Sequence, residues 1–252
     1  MYRPRVIPIL LLKKDGLFKT KNFTEPIYIG DPLNAVKIFN DAEADELIFL
    51  DINASKDSSE IDYELLSRIS EEAQMPFSYG GGLDSIVKIK KTFQSGTEKV
   101  VLNSICYQSK DLISQATKIF GNQSLVVSID VKKEGEKYVL YSHGGTLKQE
   151  VSLEEHIKKC ENAGAGEFCI TSIDREGTRL GYDLELYKMV SNFTSIPIIA
   201  SGGANDEDDL VEIINKNLVS ATAAGSMFVF MGRNNAVMIS YPEPEELQEL
   251  FE

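Results

Sequence analysis

The segment Pro76-Phe77-Ser78-Tyr79-Gly80-Gly81-Gly82 returns as Pro197-Ile198-Ile199-Ala200-Ser201-Gly202-Gly203, a short apolar run followed by a glycine turn. From position 81 to position 202 the step is 121 in a chain of 252 residues, close to half its length. Phe49-Leu50-Asp51 resembles Ser172-Ile173-Asp174 at nearly the same offset. A period this long, carried by strand-and-turn units, points to two homologous halves.

Apolar runs with strand character recur at Arg5–Leu12, Glu46–Asp51, Pro76–Tyr79, Lys99–Asn103, Leu125–Asp130, Glu167–Ser172, Pro197–Ser201 and Val219–Ala223. Several are continuous apolar blocks, as a parallel sheet covered on both faces requires. Helical patterns lie between them, with starts such as Asp31-Pro32 before Leu33, Val36 and Phe39, and Asp206–Asp209 before Leu210, Ile213 and Ile214. Such alternation fits an open doubly wound sheet as well as a barrel. The half-length period decides, because two four-strand halves close naturally on each other, and an open sheet gives no reason for such a period. The expected fold is α/β: a (βα)8 barrel of the TIM type, built as two half-barrels, with residues 1–252 forming a single domain.

Composition agrees, since 42% hydrophobic residues and 18 glycines suit one barrel of this length. No run of about 18 apolar residues appears, and Met1-Tyr2-Arg3-Pro4-Arg5 lacks the apolar stretch of a signal peptide. A cytoplasmic protein is expected. Cys106, Cys160 and Cys169 are dispersed, without C-x-x-C spacing, so neither a disulfide framework nor a metal site is expected, and no cofactor motif appears. The net charge of −13 disfavours nucleic acid and anionic membranes as partners. A phosphorylated ligand would need local help, which backbone N–H groups in glycine turns supply without any lysine.

Two long loops follow the first and fifth strands, Lys13–Ile29 and Val131–Val151. Turn signals at Lys14-Asp15-Gly16 and Lys133-Glu134-Gly135-Glu136 make each a candidate hairpin, at matching places in the two halves. Loops at strand C-termini are where this architecture keeps substrate lids; tolerated insertions would look the same. Gly80-Gly81-Gly82 and Ser201-Gly202-Gly203 each precede a helix, and each is followed one strand later by a small polar end, Asn103-Ser104 or Ala224-Gly225-Ser226. A lone glycine pair usually means only a tight turn. The symmetric repetition suggests two phosphate sites, on a substrate that spans the mouth. Asp130 ends the fifth strand between them, where a carboxylate can serve as general acid or base, or anchor a loop. Asp51, Asp174 and Glu176 are further strand-end acids; Asp174, beside Arg175, suits a fixed structural role.

The segments Phe49-Leu50-Asp51-Ile52-Asn53-Ala54-Ser55, Pro76–Gly82, Thr171-Ser172-Ile173-Asp174-Arg175-Glu176-Gly177-Thr178, Gly181-Tyr182-Asp183 and Ile198–Gly203 together resemble the cyclase subunit of imidazole glycerol phosphate synthase. The resemblance covers nearly the whole chain, in order and at near-constant spacing, and the histidine-pathway isomerase of the same fold lacks several of these segments. It implies catalytic roles for Lys19, Asp130, Thr171 and Glu176. It implies substrate and phosphate contacts at Asp51, Gly81, Gly82, Asn103, Ser104, Gly177, Ser201, Gly202, Gly203, Gly225 and Ser226. It also implies a glutaminase partner at the strand N-termini, with Gln123 on the docking surface. Ammonia would enter through a ring formed by Arg5, Glu46, Lys99 and Glu167. Read on its own, such a ring fits a structural ion-pair cluster equally well.

The chain departs from that pattern at its first strand. The family's first catalytic aspartate falls, without gaps, on Leu11 of Ile9-Leu10-Leu11-Leu12-Lys13-Lys14, and an alkyl side chain transfers no proton. Asp15 could take its place only if the loop folded back over the rim. Glu176 stands where the family has an aspartate. The carboxyl-terminal Val237-Met238-Ile239-Ser240-Tyr241-Pro242 also differs, and with Leu11 it resembles a branch associated with amidinated surface sugars, whose barrel and glutaminase supply ammonia to a separate amidotransferase. Three activities therefore stand open: a cyclase acting on a bis-phosphorylated formimino ribotide, an ammonia-supplying conduit, and an aldose–ketose isomerase.

Overall fold

A computed structural model describes residues 3–14, 16–54, 60–109, 111–232 and 234–252; Asp15 lies outside the described residues. The barrel strands are β1 (Arg5–Lys13), β2 (Leu47–Asp51), β3 (Phe77–Gly80), β4 (Lys99–Leu102), β5 (Leu125–Glu134), β6 (Glu167–Ser172), β7 (Ile198–Ser201) and β8 (Ala221–Ala224). Each pairs in parallel with the next. β8 closes onto β1 in the register Arg5↔Ala221 through Pro8↔Ala224, so no barrel edge is left open. The expected eight-strand barrel is the architecture found, with strand ends displaced by at most two residues except in β5, which runs on past Asp130 to Glu134.

The two-residue period of the strands sorts their side chains. Ile7, Ile9, Leu11, Ile48, Val101, Val126, Cys169, Ile199, Ala221 and Ala223 form one buried cluster, the lumen. Their neighbours Val6, Leu10, Leu12, Leu47, Phe49, Val100 and Val127 belong to a larger cluster shared with the helices. This double burial explains why the strands read as unbroken apolar blocks.

The helices start where their caps require. Asp31 accepts from Asn34 N at 2.9 Å ahead of the helix Pro32–Asp41, Asp62 accepts from Leu65 N at 2.8 Å, and Ser152 with Glu155 forms a capping box. Each such cap contributes about 1 kcal/mol. Both long loops are hairpins. Gly16–Lys21 pairs antiparallel with the end of β1 and with Thr24–Gly30, and Lys137–Ser142 pairs with the end of β5. After β8 the chain makes a small ribbon, Phe230–Met231 with Ala236–Val237, and a last helix, Pro244–Leu250. Tyr241 ties this tail to the barrel: it is buried against Phe39 and Phe228, and its hydroxyl donates to Val6 O at 2.8 Å. No helix among the described residues is long and apolar enough to cross a membrane.

Candidate active site

A cavity of about 410 Å³ opens at the strand C-termini, a size suited to a small-molecule ligand. Asp51, Gly81, Gly82, Asn103, Ser104, Asp130, Thr171, Glu176, Gly177, Ser201, Gly202, Gly203, Gly225, Ser226 and Lys19 all line it. The strands bring these residues together from across the whole sequence.

The two glycine turns are built alike. Gly81 (φ 126°) lies so close to the end of β2 that a Cβ would stand 2.7 Å from the Asp51 Cβ, and Gly202 (φ 92°) so close to the end of β6 that a Cβ would stand 2.7 Å from Ser172 O. In each, positive φ and close approach both demand glycine. One strand on, Ser104 precedes the short helix Ile105–Gln108 and Ser226 opens the short helix Ser226–Val229. Loops after the seventh and eighth strands, leading into such a short helix, are the usual phosphate seat of this architecture. Asp51 lines the cavity and also accepts from Asn53 N and Ala54 N at 2.9 and 3.0 Å, fixing its own turn.

Asp130 sits near the end of the inward face of β5, opposite Thr171 of β6. Burial pushes its pKa up to about 7; the hydrogen bond from Asn103 Nδ2 (2.8 Å) opposes that rise and the charge of Glu176 adds to it. A carboxyl balanced between its two protonation states near neutral pH is suited to proton transfer.

Glu176 holds the first hairpin across the mouth. Its Oε2 accepts from Thr20 Oγ1 at 3.1 Å and Phe23 N at 3.2 Å, and its Oε1 lies 3.7 Å from Lys19 Nζ. Asn22 N donates to Glu176 O at 2.9 Å. Lys19 is 4% exposed, and burial lowers its pKa against the pull of Glu176. Its ammonium reaches Gly225, where a Cβ would be 2.0 Å from Nζ. Asp174 accepts from Lys133 N at 2.6 Å, tying β6 to the second hairpin.

Leu11, 8% exposed, lines the cavity within the apolar lumen cluster. At the opposite end, Arg5 is ion-paired to Glu46 and Glu167, and Lys99 Nζ lies 3.2 Å from both carboxylates. These four side chains form a closed ring beneath the lumen. Burial would lower the pKa of Arg5, and the two carboxylates outweigh it and raise it. Ser78 Oγ donates to Glu46 Oε1 at 2.9 Å, so the ring is seated on β3 as well. Gln123 is exposed in the turn that enters β5, on the same face as the ring.

The structure adds residues that the sequence reading missed. His143, one of the two histidines, donates its backbone N–H to Ser104 Oγ at 3.1 Å and lines the cavity from the second hairpin. Phe23 of the first hairpin packs on Gly145 of the second, where a Cβ would stand 2.9 Å from its ring, so the two hairpins meet over the mouth. Arg179, also at the mouth, lies just beyond the Glu176-Gly177-Thr178 turn.

Fold and site together define a class: a (βα)8 barrel with a buried carboxyl, shifted toward neutral pH, between two symmetric glycine turns, and a charged ring closing the far end. The particular family follows from comparison. Residues 5–233 match the family model described as histidine biosynthesis protein. A Vibrio vulnificus protein is 42% identical over 254 residues, spanning 100% of this chain and 98% of its own length. A Pseudomonas aeruginosa protein is 44% identical over 248 residues, spanning 98% and 99%. Both are named provisionally as imidazole glycerol phosphate synthase subunits. A Lactococcus lactis protein named imidazole glycerol phosphate synthase subunit HisF is 40% identical over 230 residues, spanning 90% of this chain and 89% of its own. The chain belongs to the histidine biosynthesis protein family.

Proposed function

We propose that this chain is the ammonia-accepting, cyclase-type subunit of a glutamine-dependent imidazole glycerol phosphate synthase. The observation that carries the reading is Asp130, whose carboxyl titrates near 7, set in one cavity between two glycine turns. A formimino ribotide carrying two phosphates would lie across the mouth. One phosphate would meet Gly81, Gly82, Asn103 and Ser104; the other would meet Gly177, Gly202, Gly203, Gly225 and Ser226. A glutaminase docked below, on a surface that includes Gln123, would release ammonia through the ring of Arg5, Glu46, Lys99 and Glu167. Ammonia condenses with the ketose carbonyl with loss of water, its nitrogen attacks the formimino carbon, and the C–N bond to the aminoimidazole half breaks as the imidazole closes; Asp130 takes the proton from the attacking nitrogen and returns it to the departing amine. Thr171, Ser201 and Asp51 line the path of the substrate, and Lys19 closes over it from the first hairpin.

Leu11 favours a second reading. Two acids flanking a substrate can divide proton removal and proton delivery, and here the first position is an alkyl group in an apolar lumen. Cyclisation would then be slow, and the complex would pass its ammonia to a separate sugar amidotransferase of surface polysaccharide synthesis. Supplying ammonium salts at alkaline pH bypasses the glutaminase and tests the barrel alone. Consumption of the formimino ribotide by the wild-type chain supports the cyclase; complete inactivity leaves the conduit. Co-purification with the glutaminase encoded beside it tests both, and no complex at micromolar concentration rejects both.

A further inference from the structure

We propose that Arg179 is the charged ligand of the anion seat formed by the turns after β7 and β8. The inference rests on the bis-phosphate reading given above and assigns that seat its cation.

Arg179 lines the cavity from the loop after β6, in left-handed backbone with φ 57°. A guanidinium has five N–H donors in a planar fork. Two contacts are made, Nη1 to Phe230 O at 3.4 Å and Nη2 to Asn205 O at 3.3 Å, both long. Nε is buried and has no hydrogen-bond partner among the described residues. No carboxylate among the described residues is ion-paired to this arginine, whereas Arg5 is shared between two and Arg3 is paired with Asp45. A partly buried cation with an orphaned buried N–H is unfavourable unless something else satisfies it.

The two carbonyl contacts show where that something sits. Asn205 lies just past Gly203 in the turn after β7, and Phe230 directly follows the helix Ser226–Val229. Arg179 itself follows Gly177 closely in sequence. The guanidinium thus bridges the segments that follow β7 and β8, and Arg179 lines the same cavity as Gly177, Gly203 and Ser226. Two carbonyls hold the fork in place without neutralising it. A phosphate monoester, planar-fork compatible and doubly charged, satisfies the free donors and the charge together. Lys19, whose Nζ reaches Gly225, is already engaged by Glu176.

The test is calorimetric titration of the intact chain with inorganic phosphate, for wild type, Arg179→Gln and Arg179→Lys, with a thermal melt of each and diffraction in phosphate. Wild type should bind two phosphates. Arg179→Gln should lose tenfold or more in affinity at the seat near Gly203 and Ser226 while the seat near Gly82 and Ser104 keeps its own. Arg179→Lys should recover part of the loss, since it restores the charge and not the fork. Unchanged affinity at both seats in Arg179→Gln, even with a lowered melting temperature, would reduce the arginine to a loop staple and overturn the inference. Wild type that binds no phosphate at all defeats the bis-phosphate reading itself, and with it this one.

Discussion

β1 and β5 hold corresponding places in the two half-barrels, and each runs out of the barrel into a hairpin. Leu11 pairs there with Phe18, and Asp130 with Tyr141. The backbones agree; the inward side chains do not. Leu11 joins Ile9, Ile48 and Val101 in the lumen, while Asp130 is held by Asn103 and shifted toward neutral pH. Glycine turns and hairpins answer to main-chain geometry, which both halves must satisfy to close one barrel. The proposed chemistry depends on single side chains, and on that reading it rests on the second half.

The largest effect expected from this asymmetry is on turnover. Asp130→Asn keeps the shape and the Asn103 contact but cannot exchange the proton, so ammonia-dependent turnover should fall by on the order of 10²–10⁴. Equal rates for wild type and variant would put the chemistry elsewhere. Next come the turns, where the halves should behave alike. Gly81→Ala and Gly202→Ala each force a side chain into left-handed backbone and against the preceding strand's end, and each should cost about 1–3 kcal/mol in denaturant unfolding. A large cost in one half only would show that the two turns are not the same device.

Glu176→Gln should be milder. It weakens charge-assisted bonds to Thr20 and Phe23, worth about 1–2 kcal/mol, so the first hairpin should exchange its amide hydrogens several-fold faster. It also removes the negative charge that adds to the burial effect on Asp130, so Asp130 should titrate at lower pH in the variant. A separate effect is on stability against pH. The folded chain holds the Asp130 proton up to about 7, whereas an unfolded carboxyl loses it near 4. Between those values the unfolded state binds fewer protons, so this residue's contribution to stability is full below the window and is lost as pH rises through it. Melting temperatures of wild type and Asp130→Asn should therefore diverge across that window, with wild type losing ground as pH rises.

Much of the frame is legible in the sequence, because it is written in local signals. Asp31-Pro32 announces a helix start, Gly81-Gly82 and Gly202-Gly203 announce turns, and the half-length period joins them into a closed barrel. The strand ends are less exact. Val219 and Ser220 read as strand, and pairing of β8 begins at Ala221, opposite Arg5, where β1 itself begins. What the sequence hides are partners brought together only by closure. Glu176 meets Thr20 across 156 positions, Ser104 meets His143 across 39, and Arg179 meets Phe230 across 51. A basic residue in a glycine-bearing loop was a visible signal at Arg179; its lack of a carboxylate partner was not.

We propose that the barrel's acid chemistry rests on one half, because Leu11 offers no carboxyl in the other. Initial rates of ammonia-dependent loss of the formimino ribotide, compared between wild type and Leu11→Asp, test it most directly, with melts to separate folding from chemistry because a carboxylate among Ile9, Leu50 and Val101 risks destabilising the lumen. Wild type should be slow and a folded Leu11→Asp faster by on the order of 10² or more. A wild-type rate of about 1–10³ per second, with no gain on restoring the carboxylate, would contradict it.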